Sequence, residues 1–341
     1  MKIFFAEIEK WEAEYVKANL QPTTHNPQLE FFEGKLDKDN LPKERDAEII
    51  SVFVGSKVDK DVIDAFGNLK LITTRSTGFD HIDFKYANSK GIATAYVPGY
   101  GDNTVAEFAF GLLLALSRKI YEGVDRIKET GDFNFDGLRG FDLRGKTIGI
   151  IGTGRIGQHS VKIAKGFDMN VIAYDAFPNE KLAQELDFKY VSLDELLTTC
   201  DVVSIHVPYL PSTHHLINKN NIGKIKKGAI LINTARGAIV ETDALAIALN
   251  EGILGGAGLD VLEEEDAIKE GKNFLTRGHP EGHDLKTVLE DHEFMKMPNV
   301  LITPHNAFNT TEALQRILDT DIKNIQSFVE KGTPEYKIPN S

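Results

Sequence analysis

The stretch Lys146–Asp175, KTIGIIGTGRIGQHSVKIAKGFDMNVIAYD, decides the fold. An apolar strand-like run ends in GTGRIG, a segment of helical periodicity follows, and a second apolar run stops at Asp175. Each glycine answers a physical demand of a dinucleotide-binding turn. Gly152 permits the tight turn, Gly154 lets the backbone approach a pyrophosphate, and Gly157 lets the helix pack close on the strand. The pyrophosphate would then rest on the exposed amides at the helix N-terminus, where the aligned peptide dipoles favour an anion. Asp175, 18 residues past Gly157, stands where a carboxylate can hold both ribose hydroxyls and would repel a 2'-phosphate. Phe177, Pro178 and Asn179 follow, not the Arg that such a phosphate needs, so the unit reads as binding NAD(H) rather than NADP(H).

Working outward, 341 residues are enough for two domains with separate cores. Strand-like runs alternate with helical stretches almost from end to end, the pattern of an α/β protein with parallel sheets. In the first third KIFFA, LEFF, AEIISVFV, LKLITT and GIATA read as five short buried strands of a doubly wound, flavodoxin-like sheet. From Lys146 onward KTIGII, NVIAYD, DVVSIHV, GAILINTA, GAGLDV and NVLITP supply six strands of a Rossmann domain. Between them TVAEFAFGLLLALSRKI is apolar on all sides and predicts a buried helix, capped by a Thr104/Glu107 box and placed between the domains. The last helix, TTEALQRILDTDIKNIQSFVEKG, most simply returns to the first domain. The expected division is residues 1–100 with 306–341 as a discontinuous substrate domain, and 101–305 as the NAD-binding domain.

Composition narrows the class further. The chain is 41% hydrophobic and 26% charged, with no apolar run of membrane-spanning length, and its N-terminus MKIFFAEIEKWEAE puts acids where a signal peptide needs an apolar centre. A cytoplasmic protein is the expectation. The single cysteine, Cys200, rules out an internal disulfide framework, and its place before a strand reads as core filler. A net charge of -12 argues against nucleic-acid and anionic-membrane partners, while leaving room for a small anionic substrate held by local donors.

Asp175, His206, Arg236, Asp260 and His305 all fall at or just beyond the carboxyl end of a predicted strand, the edge where open α/β sheets bind ligands. Arg236, in NTARG, offers a planar fork that can grip a carboxylate and reach a neighbouring carbonyl oxygen; its alternative is a surface ion pair. His305, in TPHNA, is the natural proton donor, since imidazole titrates near neutrality without large perturbation. One of Glu263, Glu264 and Glu265 could hydrogen-bond it and favour its charged form, and spacing alone does not choose among the three. His279 and His283 have a spacing that could ligate a metal, but Pro280 and Gly282 deny them a helix and no third ligand accompanies them, so no metal is expected. His214 and His215, being adjacent, would face different ways on a helix.

GTGRIG, HVP, NTARG, GLDVLEEE and TPHNA, in this order, together with RSTGFDHID and NTVAE nearer the N-terminus, resemble the D-isomer-specific 2-hydroxyacid dehydrogenases over nearly the whole chain. Within that family the chain looks most like the D-lactate dehydrogenases. The resemblance implies that Arg236 binds substrate, that His305 is the acid/base and that Glu265 is its carboxylate partner. It also implies that the amides of Thr77 and Gly78 hold the substrate carboxylate and that Tyr100 is an aromatic pocket residue. Gly152, Gly154, Arg155, Ile156, Gly157, Asp175, His206, Val207, Pro208, Thr213, Thr234, Ala235, Arg236 and Asp260 fall on cofactor contacts, with Asp260 bordering the nicotinamide.

Two departures stand out. Gly55 replaces a common Tyr, and Asn306, Phe308 and Asn309 replace the usual Ile, Tyr and Tyr; losing an aromatic wall enlarges or wets the pocket. The implied reaction is reduction of pyruvate to D-lactate by NADH in a homodimer. The alternatives are a larger keto acid of the 2-hydroxyisocaproate type, a glycerate or hydroxypyruvate reductase, and a non-enzymatic NAD(H)-sensing corepressor.

Overall fold

The computed structural model describes residues 1–20, 27–265 and 284–339, so His279 and His283 lie outside the described residues. The chain divides into two compact units, Met1–Tyr100 with Asn309–Ser341, and Gly101–Phe308. The second crossing thus falls after Phe308 rather than after His305. The amides of Asn306 and Ala307 donate to the Asp260 carboxylate, which ties this loop to the second unit.

In the first unit β1 (Lys2–Ala6), β2 (Gln28–Phe32), β3 (Ile49–Val52), β4 (Leu71–Thr74) and β5 (Ala93–Ala95) form one parallel sheet in the order β2-β1-β3-β4-β5. Every residue of β1, β3 and β4 is buried, as a sheet covered on both faces requires. Phe4, Ile50, Val52 and Ile72 pack on one face with Val62 and Ile63, and Ile3, Phe5, Ile49 and Leu71 on the other. The C-terminal helix, Thr311–Lys331, covers the second face with Leu318, Ile322 and Ile325, three residues at helical spacing. Its limits are local chemistry: the Thr310 hydroxyl accepts from the Ala313 amide, and Gly332 ends it at φ 72°.

The second unit holds seven parallel strands: β6 (Thr147–Ile151), β7 (Asn170–Tyr174), β8 (Lys189–Tyr190), β9 (Val202–Ile205), β10 (Ala229–Asn233), β11 (Leu254–Leu259) and β12 (Val300–Ile302). Their order is β12-β11-β10-β9-β6-β7-β8. Six were expected; β8 is two residues long, too short to show either alternation or an apolar run. The apolar helix runs from Asp102 to Ser117, starts on Gly101 with no side-chain cap, and buries Thr104 in its first turn, so the expected capping box does not form. It packs on the Arg155–Gly166 helix and on β10, β11 and β12, within the second unit. Cys200 is fully buried, and burial pushes its thiol up to about 12, which makes it inert core.

Candidate active site

The glycine-rich turn has the expected construction. Gly152 sits at φ 94°, and a Cβ there would meet the His206 carbonyl carbon at 2.9 Å. A Cβ on Gly157 would stand 2.0 Å from the Gly152 carbonyl oxygen, so only glycine lets the helix start this close to the strand. Gly154 opens on clear space, and the Arg155–Gly166 helix that follows it has neither a side-chain cap nor an acid in its first turn. Those amides suit a pyrophosphate.

Asp175 closes β7 across from this turn. Its carboxylate accepts from the Thr153 amide at 2.7 Å, the Thr153 hydroxyl at 2.8 Å and the Phe177 amide at 2.9 Å. Burial works to raise its pKa, but these hydrogen bonds outweigh burial and hold the carboxyl below the ordinary range. It is therefore an anion at neutral pH, with lone pairs left for ribose hydroxyls.

On the other strand ends, the His206 ring meets the hydroxyls of Ser160 and Ser204 at 3.0 and 2.9 Å through Nε2, and burial pushes its pKa down to about 4. This imidazole is neutral at pH 7. The Thr213 hydroxyl donates to the Pro208 carbonyl at 2.7 Å, and this bond fastens the loop that begins at Val207. Thr234 keeps a buried hydroxyl with no hydrogen-bond partner among the described residues, beside Ala235 and Arg236 at the end of β10. A buried orphan hydroxyl is costly alone and fits a polar ligand at this edge.

Asn233 shapes the turn that carries Arg236. Its side chain accepts from the Ala235 amide at 3.0 Å and donates to the Arg236 carbonyl at 2.9 Å. Nη1 of Arg236 donates to the Ala235 carbonyl at 2.8 Å. A Cβ on Gly237 would stand 2.1 Å from Leu262, so this turn and the segment after β11 are packed backbone to backbone.

That segment holds the three acids left open by spacing, and the structure gives each a different partner. Glu263 takes His215 at 2.6 Å and the Thr242 hydroxyl at 2.7 Å. Glu264 accepts from the Asp284 amide at 3.3 Å, and Glu265 meets Nδ1 of His305 at 2.9 Å. His305 itself has φ 52°, and its amide donates to the carbonyls of Asp260 and Thr303. Asp260, 1% exposed, is the anchor of this loop. Its carboxylate accepts from the amides of Asn306 and Ala307, each at 2.8 Å, and from the Thr303 hydroxyl. Burial is the largest influence on Asp260 and raises its pKa against those hydrogen bonds.

In the first unit, the Thr77 hydroxyl donates to the Val97 carbonyl at 2.8 Å and Ser76 donates to the Gly78 carbonyl at 2.6 Å, which fixes the loop after β4. The carbonyl of half-buried Tyr100 accepts from Nε of Arg316 at 2.7 Å. Sequence reading missed Asn233, Thr153 and Thr303. All three lie inside the quoted motifs, where each hydroxyl or amide beside a functional residue was a usable signal. His214 and His215 are not on a helix; their rings stack with centroids 3.8 Å apart. Among the described residues no group of His, Cys, Asp and Glu is arranged to hold a metal, and no helix is long and apolar enough to cross a membrane.

A parallel sheet with a glycine turn, an ionised acid on the next strand, and an Arg, a His and its carboxylate on the same edge defines a nicotinamide-dependent oxidoreductase. The family model for the D-isomer specific 2-hydroxyacid dehydrogenase NAD binding domain matches residues 110–307. The chain is 38% identical over 340 residues to 2-hydroxyacid dehydrogenase homolog 1 of Schizosaccharomyces pombe, covering 97% of each. It is 40% identical over 297 residues to the glyoxylate reductase of Thermofilum pendens, covering 85% of this chain and 80% of that one. The crystal structure of D-lactate dehydrogenase from Aquifex aeolicus, complexed with NAD and lactic acid, superposes with a TM-score of 0.83 at 36% identity over 98% of both chains. The chain belongs to the D-isomer-specific 2-hydroxyacid dehydrogenases, NAD-dependent oxidoreductases that act on the CH–OH group of 2-hydroxy acids.

Proposed function

We propose that the enzyme reduces pyruvate to D-lactate. NADH, when bound, supplies the hydride. Arg236 takes the substrate carboxylate and the keto oxygen in its planar fork, and the Thr77 and Gly78 amides take the carboxylate. Tyr100 lines the place for the substrate. His305 gives its proton to the keto oxygen as charge develops there, and Arg236 stabilises that charge. With Nδ1 committed to Glu265, Nε2 is the nitrogen that exchanges the proton with substrate. Asp260 acts by holding the His305 loop. Gly152, Gly154, Arg155, Ile156, Gly157, Asp175, His206, Val207, Pro208, Thr213, Thr234 and Ala235 bind the cofactor. In this reading the first unit is the substrate domain and the second the NAD-binding domain.

The observation that carries the proposal is the 2.9 Å pair between His305 and Glu265, brought together across 40 residues on the sheet edge that also bears Arg236. Steady-state oxidation of NADH with pyruvate, with product chirality measured, tests it. L-lactate as product, or no turnover, refutes it.

We also propose a homodimer in the cytosol. The helix Ile120–Thr130 exposes Ile120, Val124 and Ile127 along one stripe, and the following loop exposes Phe133 and Phe135, at 91% and 85%. A water-facing apolar surface of this kind suits a second copy. Light scattering of a monomer at micromolar concentration would refute it.

A further inference from the structure

In a sheet of order β2-β1-β3-β4-β5 the winding reverses between β1 and β3, and ligands collect in the crevice at the carboxyl ends of those two strands. Glu7 is the first residue beyond β1 and Gly55 lies in the loop after β3. Glu7 has φ 51°, a conformation few side-chain-bearing residues adopt. Its surroundings fix each of its polar groups. The amide donates to the Gly34 carbonyl at 2.9 Å, and the carbonyl accepts from the buried Arg75 guanidinium at 2.6 Å. Oε1 accepts from the Gly55 amide at 3.1 Å, and Oε2 accepts from the Ser56 hydroxyl at 2.7 Å. A backbone outlier over-determined in this way is the kind that functional sites maintain.

A Cβ built on Gly55 would stand 2.2 Å from Oε1. The Glu7 carboxylate therefore fills the place that a side chain at position 55 would take, which makes this wall polar. Cε of Lys35 lies 3.1 Å from the same point, but that side chain is exposed and its ammonium swings on rotatable bonds, whereas the carboxylate is held at both oxygens.

We propose that Glu7 is a specificity-determining residue, a fixed carboxylate that bounds the space for C3 of the keto acid and whatever C3 carries. The inference rests on the reading above that Thr77 and Gly78 hold the substrate carboxylate. They follow β4, the neighbour of β3, and one strand spacing of about 4.8 Å carries the C3 end toward the loop after β3, where the Glu7 side chain reaches across from β1, two strands from β4, to Gly55. A methyl or a hydroxymethyl group fits there, the latter donating to a free lone pair of the carboxylate. A branched apolar chain meets a charge it cannot solvate, and a second carboxylate meets a like charge.

The test is kcat/KM of the full-length enzyme for pyruvate, hydroxypyruvate, 2-ketoisocaproate and oxaloacetate, for the wild type, Glu7→Gln and Glu7→Ala. Pyruvate and hydroxypyruvate should lie within about tenfold of each other and about a hundredfold above the other two acids. Glu7→Ala should raise the 2-ketoisocaproate-to-pyruvate ratio at least about tenfold, and the isosteric Glu7→Gln should raise the oxaloacetate-to-pyruvate ratio by about the same factor. Glu7→Gln keeps the size of the side chain, so its ratio decides the matter if Glu7→Ala does not fold. Wild-type turnover of 2-ketoisocaproate equal to that of pyruvate, or unchanged ratios in folded variants, overturns the inference while leaving the activity standing. A wild type that oxidises NADH with none of the four acids overturns both.

Discussion

Replacing Asp260 by Asn tests whether the histidine loop is held from beneath. The carboxylate is 1% exposed and gives one oxygen to the Asn306 amide and the Thr303 hydroxyl and the other to the Ala307 amide. An asparagine has one acceptor oxygen, so in either orientation its NH2 faces a backbone N–H, that of Asn306 or that of Ala307. Leaving one buried amide unsatisfied costs about 1–3 kcal/mol, and losing a hydrogen bond to a charged acceptor adds about 1 kcal/mol, so the variant should lose about 2–4 kcal/mol of stability. The loop relaxes by moving, and His305 moves with it. A displacement on the order of 1 Å lowers rates by about a hundredfold, so kcat should fall tenfold to a hundredfold at saturating NADH and pyruvate. Urea unfolding gives the first number, steady-state kinetics the second, and a fluorescence titration with NADH separates them from coenzyme affinity. If Asp260→Asn weakens NADH binding but keeps the wild-type kcat and urea midpoint, the carboxylate serves the cofactor directly and the positioning argument is wrong.

Three further outcomes follow from the same geometry. Glu265→Gln keeps a contact with Nδ1 of His305 but removes the negative charge that faces the ring, so kcat for keto-acid reduction should fall by about tenfold; an unchanged kcat would count against the pair. Arg236→Lys keeps the charge and loses the fork, so kcat/KM for pyruvate should fall by about 2 kcal/mol, roughly thirtyfold, with NADH affinity retained; near-wild-type kinetics would exclude the clamp. Asp291 is 1% exposed, Oδ1 has no hydrogen-bond partner among the described residues, and burial, reinforced by Glu263, Glu264 and Glu290, raises its pKa to about 7. A raised carboxyl pKa means that the folded state holds the proton more tightly. Stability is therefore full below about pH 4, is lost as pH rises toward 7, and is flat above that. Asp291→Asn should abolish this slope and stabilise the protein at pH 8 by up to about 4 kcal/mol; a urea midpoint at pH 8 at or below that of the wild type would contradict it.

The strands were legible in the sequence because a sheet buried on both faces demands largely apolar runs, and β1, β3 and β4 are built around Ile3, Phe4, Phe5 and Ala6, around Ile49, Ile50 and Val52, and around Leu71 and Ile72. β8 was not, since two residues carry no period. The Thr104/Glu107 box was misread because a capping box has the same i, i+3 spacing as two residues inside a helix, and the open backbone of Gly101 took the cap position. Which acid meets His305 was equally hidden. Three consecutive glutamates leave a strand end in three directions, and their partners, His215, Asp284 and His305, come from three separate parts of the chain.

The contrast between the two units has a physical cause. In the second unit the proposed chemistry resides in side-chain types, an Arg, a His and an Asp at strand ends, and strand ends can be found from apolar periodicity alone. In the first unit the proposed contacts with substrate are backbone amides, and the wall at the switch point is a glycine filled by a carboxylate 48 residues away in the sequence. Read alone, Gly55 is a missing wall and Glu7 is one acid in an acidic N-terminal segment. The relation between them exists only once β1 and β3 lie side by side, and β1 and β3 do so because Ile3, Phe4 and Phe5 pair with Ile49, Ile50 and Ser51. On the proposed role of Glu7, specificity would depend on sheet register: a β3 shifted by one residue would carry Gly55 away from Glu7 and leave the carboxylate without that amide.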